Sequence, residues 1–440
     1  MMNNHFRCMA LRGLSLFTAA ALLTACAASQ AAAPAASEST ADEAVTFMAP
    51  YLNVEAFIDK VHSIYPEVNI EIVPYSGDNT TSCIQNMIEA HDLPDICTDT
   101  VYNPMTDDMS DQLIDLAGYD FTDNYIESRL QEVTDNGAIY LLPSVYNCYG
   151  ITYNKTLLQQ NGWTVPTSFA ELEQLAEKAE AAGVALCLPQ SQYPGYGFQY
   201  MCNIADAGFL GTLDGKRWQK DYLSGKANVS GTPGMMQAMA YIQKWRDIGM
   251  LNGDGDPTSD EVTRQRMING DALFLLGSTN GIVEADGTRD KFGLMPYLSE
   301  DGSQNVFVLS VNRYFGLNKR LEQNPQKLED ALKVMRVLST VEGTTALYPE
   351  TKVKSSLMPF KNAKANDTYY TDIADALNFG STAPFIYSGW ENTIVTTGNK
   401  MLDFMRGDAT IDEVIAQLDG DQDKVVNNTP DLITTAAEDI

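Results

Sequence analysis

The chain has 440 residues and a formal net charge of −29 at pH 7, from 58 acidic and 29 basic side chains. Nucleic-acid binding requires clustered lysines and arginines that neutralise phosphates, so this balance argues against a nucleic-acid partner. The length is sufficient for two hydrophobic cores.

The first element is a short apolar segment, residues 14–25, which follows two arginines and ends at Cys26. About twelve apolar residues are too few to cross a bilayer, which needs roughly 20. A basic stretch before the apolar core and small residues after it are typical of a secretory signal. Residues 23–26, `LTAC`, also fit the lipobox of bacterial lipoproteins, in which the chain is cut before the cysteine.

We therefore predict a signal peptide over residues 1–25 and a diacylglycerol-modified Cys26 at the start of the mature chain. Two acyl chains hold a protein stably at a membrane, whereas a single chain holds it reversibly. Residues 26–43 have almost nothing to bury and are predicted to be a flexible tether. The predicted location is the outer face of the bacterial cell membrane. The alternative is an ordinary signal peptide with an incidental cysteine.

Alternating strands and helices follow the tether. Apolar patterns predict a strand at 44–49, a helix at 54–65, a strand at 68–75, a helix at 79–91 and a short strand at 94–99. A β-α-β-α-β order is typical of a parallel sheet whose faces are covered by helices.

A second run of the same kind begins after residue 160. It starts with a helix at 166–183 that Thr167 or Ser168 can cap, followed by a strand at 184–189. The remaining predicted elements are helices near 232–248 and 259–269 and strands at 271–277 and 291–297. Two α/β lobes are the natural division of such a chain.

Cysteines and acidic loops are the candidate metal ligands. Beyond Cys8 and Cys26, five cysteines remain, without any C-x-x-C pair, and they are predicted to be buried as small apolar residues. The segments 252–263 and 419–424 are rich in Asp, but Pro257 and Lys424 stand where a calcium loop needs its glycine. Both segments are predicted to be solvated surface loops, and no metal or other cofactor is expected.

Enzymatic activity has little support in the sequence. Cleavage would leave two histidines, His62 and His91, and no G-x-S-x-G, H-E-x-x-H or P-loop motif occurs. His62 is interpreted as a solvated helix residue. The open alternative is an exported glycan hydrolase, because two catalytic carboxylates can come from distant positions in a chain.

Seven segments together carry a resemblance to a known family. They are `FIDKVHSIYPEVNIEIVPY`, `LPDI`, `DQLIDLAGY`, `GAIYLLPSVYNCYGITYNKTLLQQNGWTVPTSFAELEQLAEK`, `MINGDALFLLGS`, `KFGLMPY` and `LEDALKVMRVLSTVEG`. Their order resembles that of family 1 extracellular solute-binding proteins, the lipoprotein receptors of ABC sugar importers, which include the maltose-binding proteins. The resemblance extends over about residues 44–420. The chain has only four tryptophans but 21 tyrosines, so the tryptophan lining of some sugar receptors cannot be assumed.

The resemblance implies an α/β, two-lobed periplasmic-binding-protein-like fold. Each lobe would have a mixed, mostly parallel sheet covered by helices, and hinge strands near 140–154 and 305–319 would join the lobes. The implied N-terminal lobe comprises 44–148 plus 306–347, and the C-terminal lobe comprises 149–305 plus 348–440.

The implied function is solute capture rather than catalysis. A monomer would bind a carbohydrate, an oligosaccharide above all, by lobe closure and deliver it to the transmembrane subunits of an ABC permease. A different small polar solute, such as a polyamine, is the alternative within binding proteins.

Candidate ligand contacts are polar and aromatic side chains at the ends of the predicted strands, where open α/β sheets bind ligands. Tyrosine rings suit the apolar faces of sugars, and amide, carboxylate or guanidinium groups suit their hydroxyls. The predicted set is Tyr51, Asp99, Thr100, Tyr146, Tyr193, Tyr196, Ser278, Thr279, Asn312, Arg313, Tyr314 and Trp390.

Trp390 is expected to be the largest single aromatic contact. The family places a ligand-stacking aromatic at the start of a long helix near this position, and here a helical apolar period begins after Trp390. The alternative is that Trp390 anchors this helix to its own lobe.

Overall fold

The computed structural model describes residues 43–49, 53–74, 80–99, 102, 108–252, 259–277, 289–348, 357–363, 382–384 and 390–427. Two units divide the chain, Met1–Ala41 and Asp42–Ile440, and every described residue belongs to the second unit. The predicted signal peptide, Cys26 and nearly all of the predicted tether therefore lie outside the described residues.

The strands are short, and most follow the apolar segments that predicted them. In chain order they are β1 (Val45–Met48), β2 (Ile70–Val73), β3 (Ile96–Asp99), β4 (Thr134–Asp135), β5 (Ala138–Ile139), β6 (Leu142–Pro143), β7 (Tyr146–Tyr149), β8 (Ile151–Asn154), β9 (Ala185–Pro189), β10 (Ala272–Leu276), β11 (Phe292–Met295), β12 (Phe307–Val311), β13 (Tyr314–Leu317) and β14 (Thr382–Pro384).

The α-helices cover these strands. They are α1 (Glu55–Ile64), α2 (Thr80–Glu89), α3 (Glu127–Gln131), α4 (Lys155–Asn161), α5 (Phe169–Ala182), α6 (Pro194–Ala205), α7 (Leu213–Leu223), α8 (Pro233–Asp247), α9 (Asp260–Asn269), α10 (Pro325–Leu338), α11 (Val341–Leu347), α12 (Glu391–Arg406) and α13 (Ile411–Asn427). A π-helical turn at Asp206–Leu210 continues α6.

The first sheet has the order β2-β1-β3-β13-β6. β1 pairs in parallel with β2 and β3, as the β-α-β-α-β pattern predicts, whereas β13 returns from much later in the chain and pairs antiparallel with β3 and β6. Phe47 of β1 packs between Phe57 of α1 and Phe315 of β13, with ring centroids 5.8 and 6.0 Å away. Strands from distant parts of the sequence thus share one core.

The second sheet has the order β11-β8-β10-β9. β10 pairs in parallel with β9, while β8 runs antiparallel to both β10 and β11. All five residues of β10 are buried, which is expected of a central strand covered on both faces.

A third sheet, β14-β12-β7, contains the two predicted crossing segments. β12 pairs antiparallel with β7, from Val308 opposite Tyr149 to Val311 opposite Tyr146, and in parallel with β14. Because β7 leads into β8 of the second sheet and β12 leads into β13 of the first, we call β7 and β12 the crossing strands. The lobe boundaries at 148 and 306 remain a prediction.

Local capping explains where α5 begins and ends. The Ser168 hydroxyl accepts a hydrogen bond from the Glu171 amide, and the Glu171 carboxylate accepts one from the Thr167 amide at 2.8 Å, which is the reciprocal pattern expected of such a start. Gly183 then ends the helix in the left-handed conformation, with φ of 69°. The predicted cap at Ser168 is confirmed.

Two glycines allow α6 and α12 to pack with their backbones in contact. A Cβ on Gly197 would lie 2.5 Å from the Gly398 carbonyl oxygen, and a Cβ on Gly398 would lie 2.1 Å from the Pro194 carbonyl oxygen. Since both obstructions are backbone atoms, no side chain can move to relieve them. The close approach therefore requires glycine at both positions.

One predicted loop is wrong. Residues 419–424 were expected to form a solvated acidic loop, but they lie inside α13. Asp421 is fully buried and accepts hydrogen bonds from the Thr397 hydroxyl at 3.1 Å and the Gln417 amide at 2.9 Å. The helix continues because these partners offset the burial of the carboxylate, and composition alone does not reveal them. Residues 253–258 of the other predicted loop lie outside the described residues.

The five described cysteines are all buried, as predicted: Cys83, Cys97, Cys148, Cys187 and Cys202. Within the described ranges, no group of three or more His, Cys, Asp or Glu side chains is placed to hold a metal ion. No helix in the described part of the chain combines the length and the apolar character needed to cross a bilayer.

Candidate functional site

Three polar side chains lie close together near the end of β3: the predicted contacts Asp99 and Tyr314, and their neighbour Tyr102. Asp99, the last residue of β3, is only 7% exposed and stands opposite Tyr314 of β13 in the strand register. The ring of Tyr314 meets the ring of Tyr102 edge-on, with centroids 5.7 Å apart. A carboxylate and two phenol rings thus lie near the carboxyl end of β3, where open α/β sheets bind ligands.

Asn312 and Arg313 form the turn between β12 and β13. The Asn312 amide donates to the Val145 carbonyl at 2.7 Å, and the Ser144 amide donates to the Arg313 carbonyl at 2.9 Å, so the turn is fixed to the segment before β7. The Asn312 Oδ1 and Arg313 Nε atoms are buried without a hydrogen-bond partner among the described residues. Such atoms cost free energy until a partner is supplied, which makes this turn a candidate for ligand contact.

A second group lies where β9 leads into α6. The Tyr196 hydroxyl donates to the Asp260 carboxylate at 2.5 Å, the Asp260 amide donates to the Gln192 side-chain oxygen at 3.0 Å, and the Gln192 amide donates to the Tyr193 hydroxyl at 2.9 Å. We call these four residues the tyrosine cluster. The rings of Tyr193 and Tyr196 are 6.1 Å apart. Tyr196 is only 1% exposed, so the half-buried ring of Tyr193 is the aromatic face of the cluster that a ligand can reach, beside the exposed Gln192 amide and near the Asp260 carboxylate. An aromatic face next to polar groups is the combination that suits a sugar.

Burial governs the protonation of this cluster. It raises the pKa of Asp260 above its ordinary value, opposed by the hydrogen bond from Tyr196 and the charge of Arg264. Burial also raises the pKa of Tyr196, and the hydrogen bond to Asp260 adds to this effect. Tyr196 therefore remains a neutral hydrogen-bond donor at physiological pH.

Sequence reasoning selected Tyr193 and Tyr196 but missed Gln192 and Asp260. Gln192 could have been found, because it precedes Tyr193 in the same strand-to-helix loop. Asp260 follows Ser259, which caps α9, and the predicted start of that helix was the available signal. Nothing in the local sequence shows that Asp260 meets a tyrosine 64 positions earlier.

The crossing strands place Tyr146 on a different face from the tyrosine cluster. Tyr146 is 3% exposed, its hydroxyl donates to the Glu132 carboxylate at 3.2 Å, and its ring lies 5.5 Å from the Arg129 guanidinium. Side chains alternate along a strand, so Asn147 faces the other way. Asn147 is half-buried and follows Tyr146 directly, but it was not among the predicted contacts. The alternation of side chains along a strand was the signal that pointed to it.

The other face of β7 leads to the tyrosine cluster. Burial raises the pKa of Tyr149 to about 12, opposed by a hydrogen bond with Ser310 of β12. Tyr149 in turn is close enough to Tyr196 to raise its pKa slightly. Asn147 and Tyr149 share one face of β7 because they are two positions apart, and Ser310 of β12, which stands opposite Asn147, lies on the same face.

Trp390 lies at the start of α12, as predicted, but within the core of the second lobe. It is 3% exposed, and its indole stacks on Tyr222 with centroids 4.6 Å apart and an interplanar angle of 6°. Phe198 and Trp218 are also within 6.3 Å. This environment favours the anchoring role, while the role as a ligand platform stays a prediction.

The remaining predicted contacts, Tyr51, Thr100, Ser278 and Thr279, lie outside the described residues.

Comparison with known proteins agrees with this architecture. Residues 54–372 match a family model described as bacterial extracellular solute-binding protein. The maltodextrin-binding protein MdxE of Bacillus subtilis (strain 168) is 26% identical over 185 residues. That alignment covers 40% of this chain and 40% of MdxE, so the chain spans less than half the length of this relative.

Two solved structures share the fold at low sequence identity. A family 1 extracellular solute-binding protein from Bifidobacterium longum subsp. infantis is 14% identical with a TM-score of 0.69, over 87% of this chain and 99% of that one. Apo RafE from Streptococcus pneumoniae is 16% identical with a TM-score of 0.67, over 87% and 98% of the two chains. RafE has also been solved in complex with raffinose.

These likenesses confirm the predicted two-lobed, periplasmic-binding-protein-like α/β fold with mixed sheets. The family match spans well over half of the sequence and includes every strand of the two larger sheets except β1. Proteins of this kind bind solutes outside the cytoplasm and are not enzymes as a group. The chain therefore belongs to the family of bacterial extracellular solute-binding proteins.

Proposed function

We propose that the protein is a lipid-anchored receptor that captures a carbohydrate, specifically an oligosaccharide, between its lobes and delivers it to an ABC importer. The observation that carries the choice of a sugar is the tyrosine cluster, in which the half-buried ring of Tyr193 stands beside a primary amide and near a carboxylate that the buried Tyr196 holds in place. Sugar rings present apolar faces and a rim of hydroxyls, and both have partners here.

The relatives support the same class of solute. MdxE is named for maltodextrin, and RafE has been solved with raffinose. Both ligands are built from several sugar rings. The relatives thus support oligosaccharides as a class of solute.

Lobe closure supplies the affinity in this proposal. A solute bound first by one lobe makes additional contacts only when the other lobe swings against it, so it shifts the population towards the closed state. The turn at Asn312 and Arg313 and the tyrosine cluster would contribute contacts from the two sheets. The crossing strands β7 and β12 would absorb the backbone rotation.

A panel of oligosaccharides and polyamines tests the function. We expect at least one oligosaccharide to raise the melting temperature in a saturable, one-to-one manner without any product detectable by chromatography. Cleavage of the glycan would contradict the receptor and favour the hydrolase. Stabilisation by a polyamine but by no sugar would replace the solute class and leave the receptor intact.

Solute binding is expected to make the protein more compact, because hinge closure moves whole lobes. Small-angle X-ray scattering should show a smaller radius of gyration at saturating solute than in its absence. A non-binding sugar from the same panel serves as the control. An unchanged radius at saturation would indicate a preformed, rigid site.

Cys26→Ala is expected to release the protein from membranes without changing its fold, since the tether contributes no core. Cell fractionation should find the variant in the soluble fraction and the parent protein in the membrane fraction. Cys8→Ala is the matched control and should remain in the membrane fraction. Retention of the Cys26 variant at high salt would contradict the lipid anchor.

A further inference from the structure

A pocket of about 720 Å³ lies beside α3, apart from the tyrosine cluster. Its lining comes from residues 126–132, from the segment 360–363, from Thr382 of β14 and from Lys216 of α7. This volume is within the range of sites that bind small molecules, roughly 300–1,000 Å³. Four separate parts of the chain thus meet around one space.

The crossing strands separate this pocket from the face assigned to the solute. Tyr146 of β7 contacts Arg129 and Glu132, which both line the pocket. Tyr149, three positions later, points to the opposite face and lies near Tyr196. The pocket is therefore on the other side of the crossing strands and is not an extension of the tyrosine cluster.

A buried guanidinium forms one fixed wall. The Arg129 side chain is 4% exposed, is paired with Glu132 and donates from Nη2 to the Thr382 hydroxyl at 3.0 Å. Beside it, the Ser128 hydroxyl is buried without a hydrogen-bond partner among the described residues. Glu132 compensates the charge of Arg129, so Arg129 holds the wall rigid, and the Ser128 hydroxyl remains as a donor for a bound anion.

The lining of the pocket has a net positive charge, whereas the protein as a whole is negatively charged. Three cationic side chains, Arg129, Lys216 and Lys361, and two carboxylates, Glu127 and Glu132, line the pocket, whereas the whole chain carries −29. Lys216 is exposed, and its ammonium group donates no hydrogen bond within the described ranges, although its charge acts on Glu132. Lys361 donates to the Asp123 carbonyl at 2.9 Å and, as an ammonium, has two further donors.

We propose that this pocket is a second binding site, separate from the solute site, for a small anion that carries a carboxylate or phosphate group. Lys216 and Lys361 hold the anion by charge-assisted hydrogen bonds, and the Ser128 hydroxyl donates to it. Arg129 fixes the wall through its pair with Glu132 and its bond to Thr382. The apolar side chains of Ile126 and Phe360 cover the remainder of the anion.

Titration calorimetry of the full-length protein in detergent, at constant ionic strength, tests this site. Citrate and inorganic phosphate are the probes, and at least one of them is expected to bind saturably with one-to-one stoichiometry. Binding by citrate alone assigns a carboxylate ligand, and binding by phosphate alone assigns a phosphate ligand. Absence of saturable binding by both at about 10 mM would overturn the proposal.

Matched variants locate the binding. Lys216→Gln should weaken anion binding by about tenfold or more, because it removes a charged hydrogen bond. Lys220→Gln, on the same helix and also exposed, changes the net charge equally and should leave the affinity unchanged. Equal losses in both variants would show non-specific attraction and overturn the site. The oligosaccharide panel is scored separately, so failure here leaves the proposed function standing.

Discussion

Trp390→Ala is expected to lower the free energy of unfolding by about 3–5 kcal/mol, the range measured for loss of a large core aromatic. The indole is 3% exposed and stacked on Tyr222, which is itself fully buried and donates its hydroxyl to the Leu418 carbonyl at 2.6 Å. Removing the indole would open a cavity between α6, α7 and α12 that their tight packing cannot close. Urea unfolding of the two proteins measures the loss.

Solute titration of the folded variant separates the two roles of Trp390. An anchoring residue should leave the affinity of the folded protein nearly unchanged, whereas loss of a stacking platform should weaken binding by about 1–3 kcal/mol, roughly ten- to a hundredfold. Trp390→Phe, which retains a ring for Tyr222, is the control and should restore most of the stability. A variant that unfolds normally but binds poorly would establish the platform.

Arg129→Met is expected to cost about 3 kcal/mol of unfolding free energy near neutral pH. The Glu132 side chain is 24% exposed. We therefore expect a loss at the lower end of the range for removing one partner of a buried ion pair. Among the described residues, the remaining carboxylate would keep the Tyr146 hydroxyl as its hydrogen-bond donor. Removing both charges at once should be much less costly, so Arg129→Met combined with Glu132→Gln is the matched control.

The cost of Arg129→Met should depend on pH in a defined direction. Burial raises the pKa of Glu132, opposed first by the charge of Arg129 and then by hydrogen bonds from Tyr146 and Arg129. Without Arg129 the pKa rises further. A carboxyl group with a raised folded-state pKa stabilises fully below its unfolded pKa, and this stability is lost as the pH rises through the folded-state pKa.

The deficit of the variant should therefore be smaller at pH 4 than at pH 8, because ionisation of the unpaired Glu132 carboxyl group increases as the pH rises through its raised pKa. Urea unfolding at the two pH values measures this difference. An equal deficit at both would assign the effect to the lost Thr382 and Tyr146 contacts instead of the charge.

Apolar periodicity predicted part of the fold, including two of the helices that cover the sheets. The segments at 54–65 and 166–183 became α1 and α5, because a stripe of apolar residues at helical spacing can be buried only by a helix. The resemblance added the order in which the crossing strands return. The apolar pattern and the resemblance both indicate which residues are buried. That property depends largely on the local sequence.

Side-chain direction and long-range partners were harder to predict. A shift of one position in a strand turns a side chain to the opposite face. The sequence alone did not show which face of β7 is which, so Tyr146 was selected and its neighbour Asn147, on the face that also carries Tyr149, was not. Asp260 was missed because its partner Tyr196 is 64 residues away. The acidic stretch at 419–424 was misread for the same reason, since the Thr397 hydroxyl that satisfies Asp421 lies on another helix.

Four of the buried cysteines are expected to react slowly with oxidants and disulfides. Burial raises the pKa of Cys97 to about 12 and also raises the pKa of Cys148, Cys187 and Cys202. Only the thiolate attacks a disulfide or an oxidant, and at neutral pH these sulfurs have almost none. In the folded protein these four thiols are therefore expected to persist as thiols in reducing and in mildly oxidising surroundings near neutral pH.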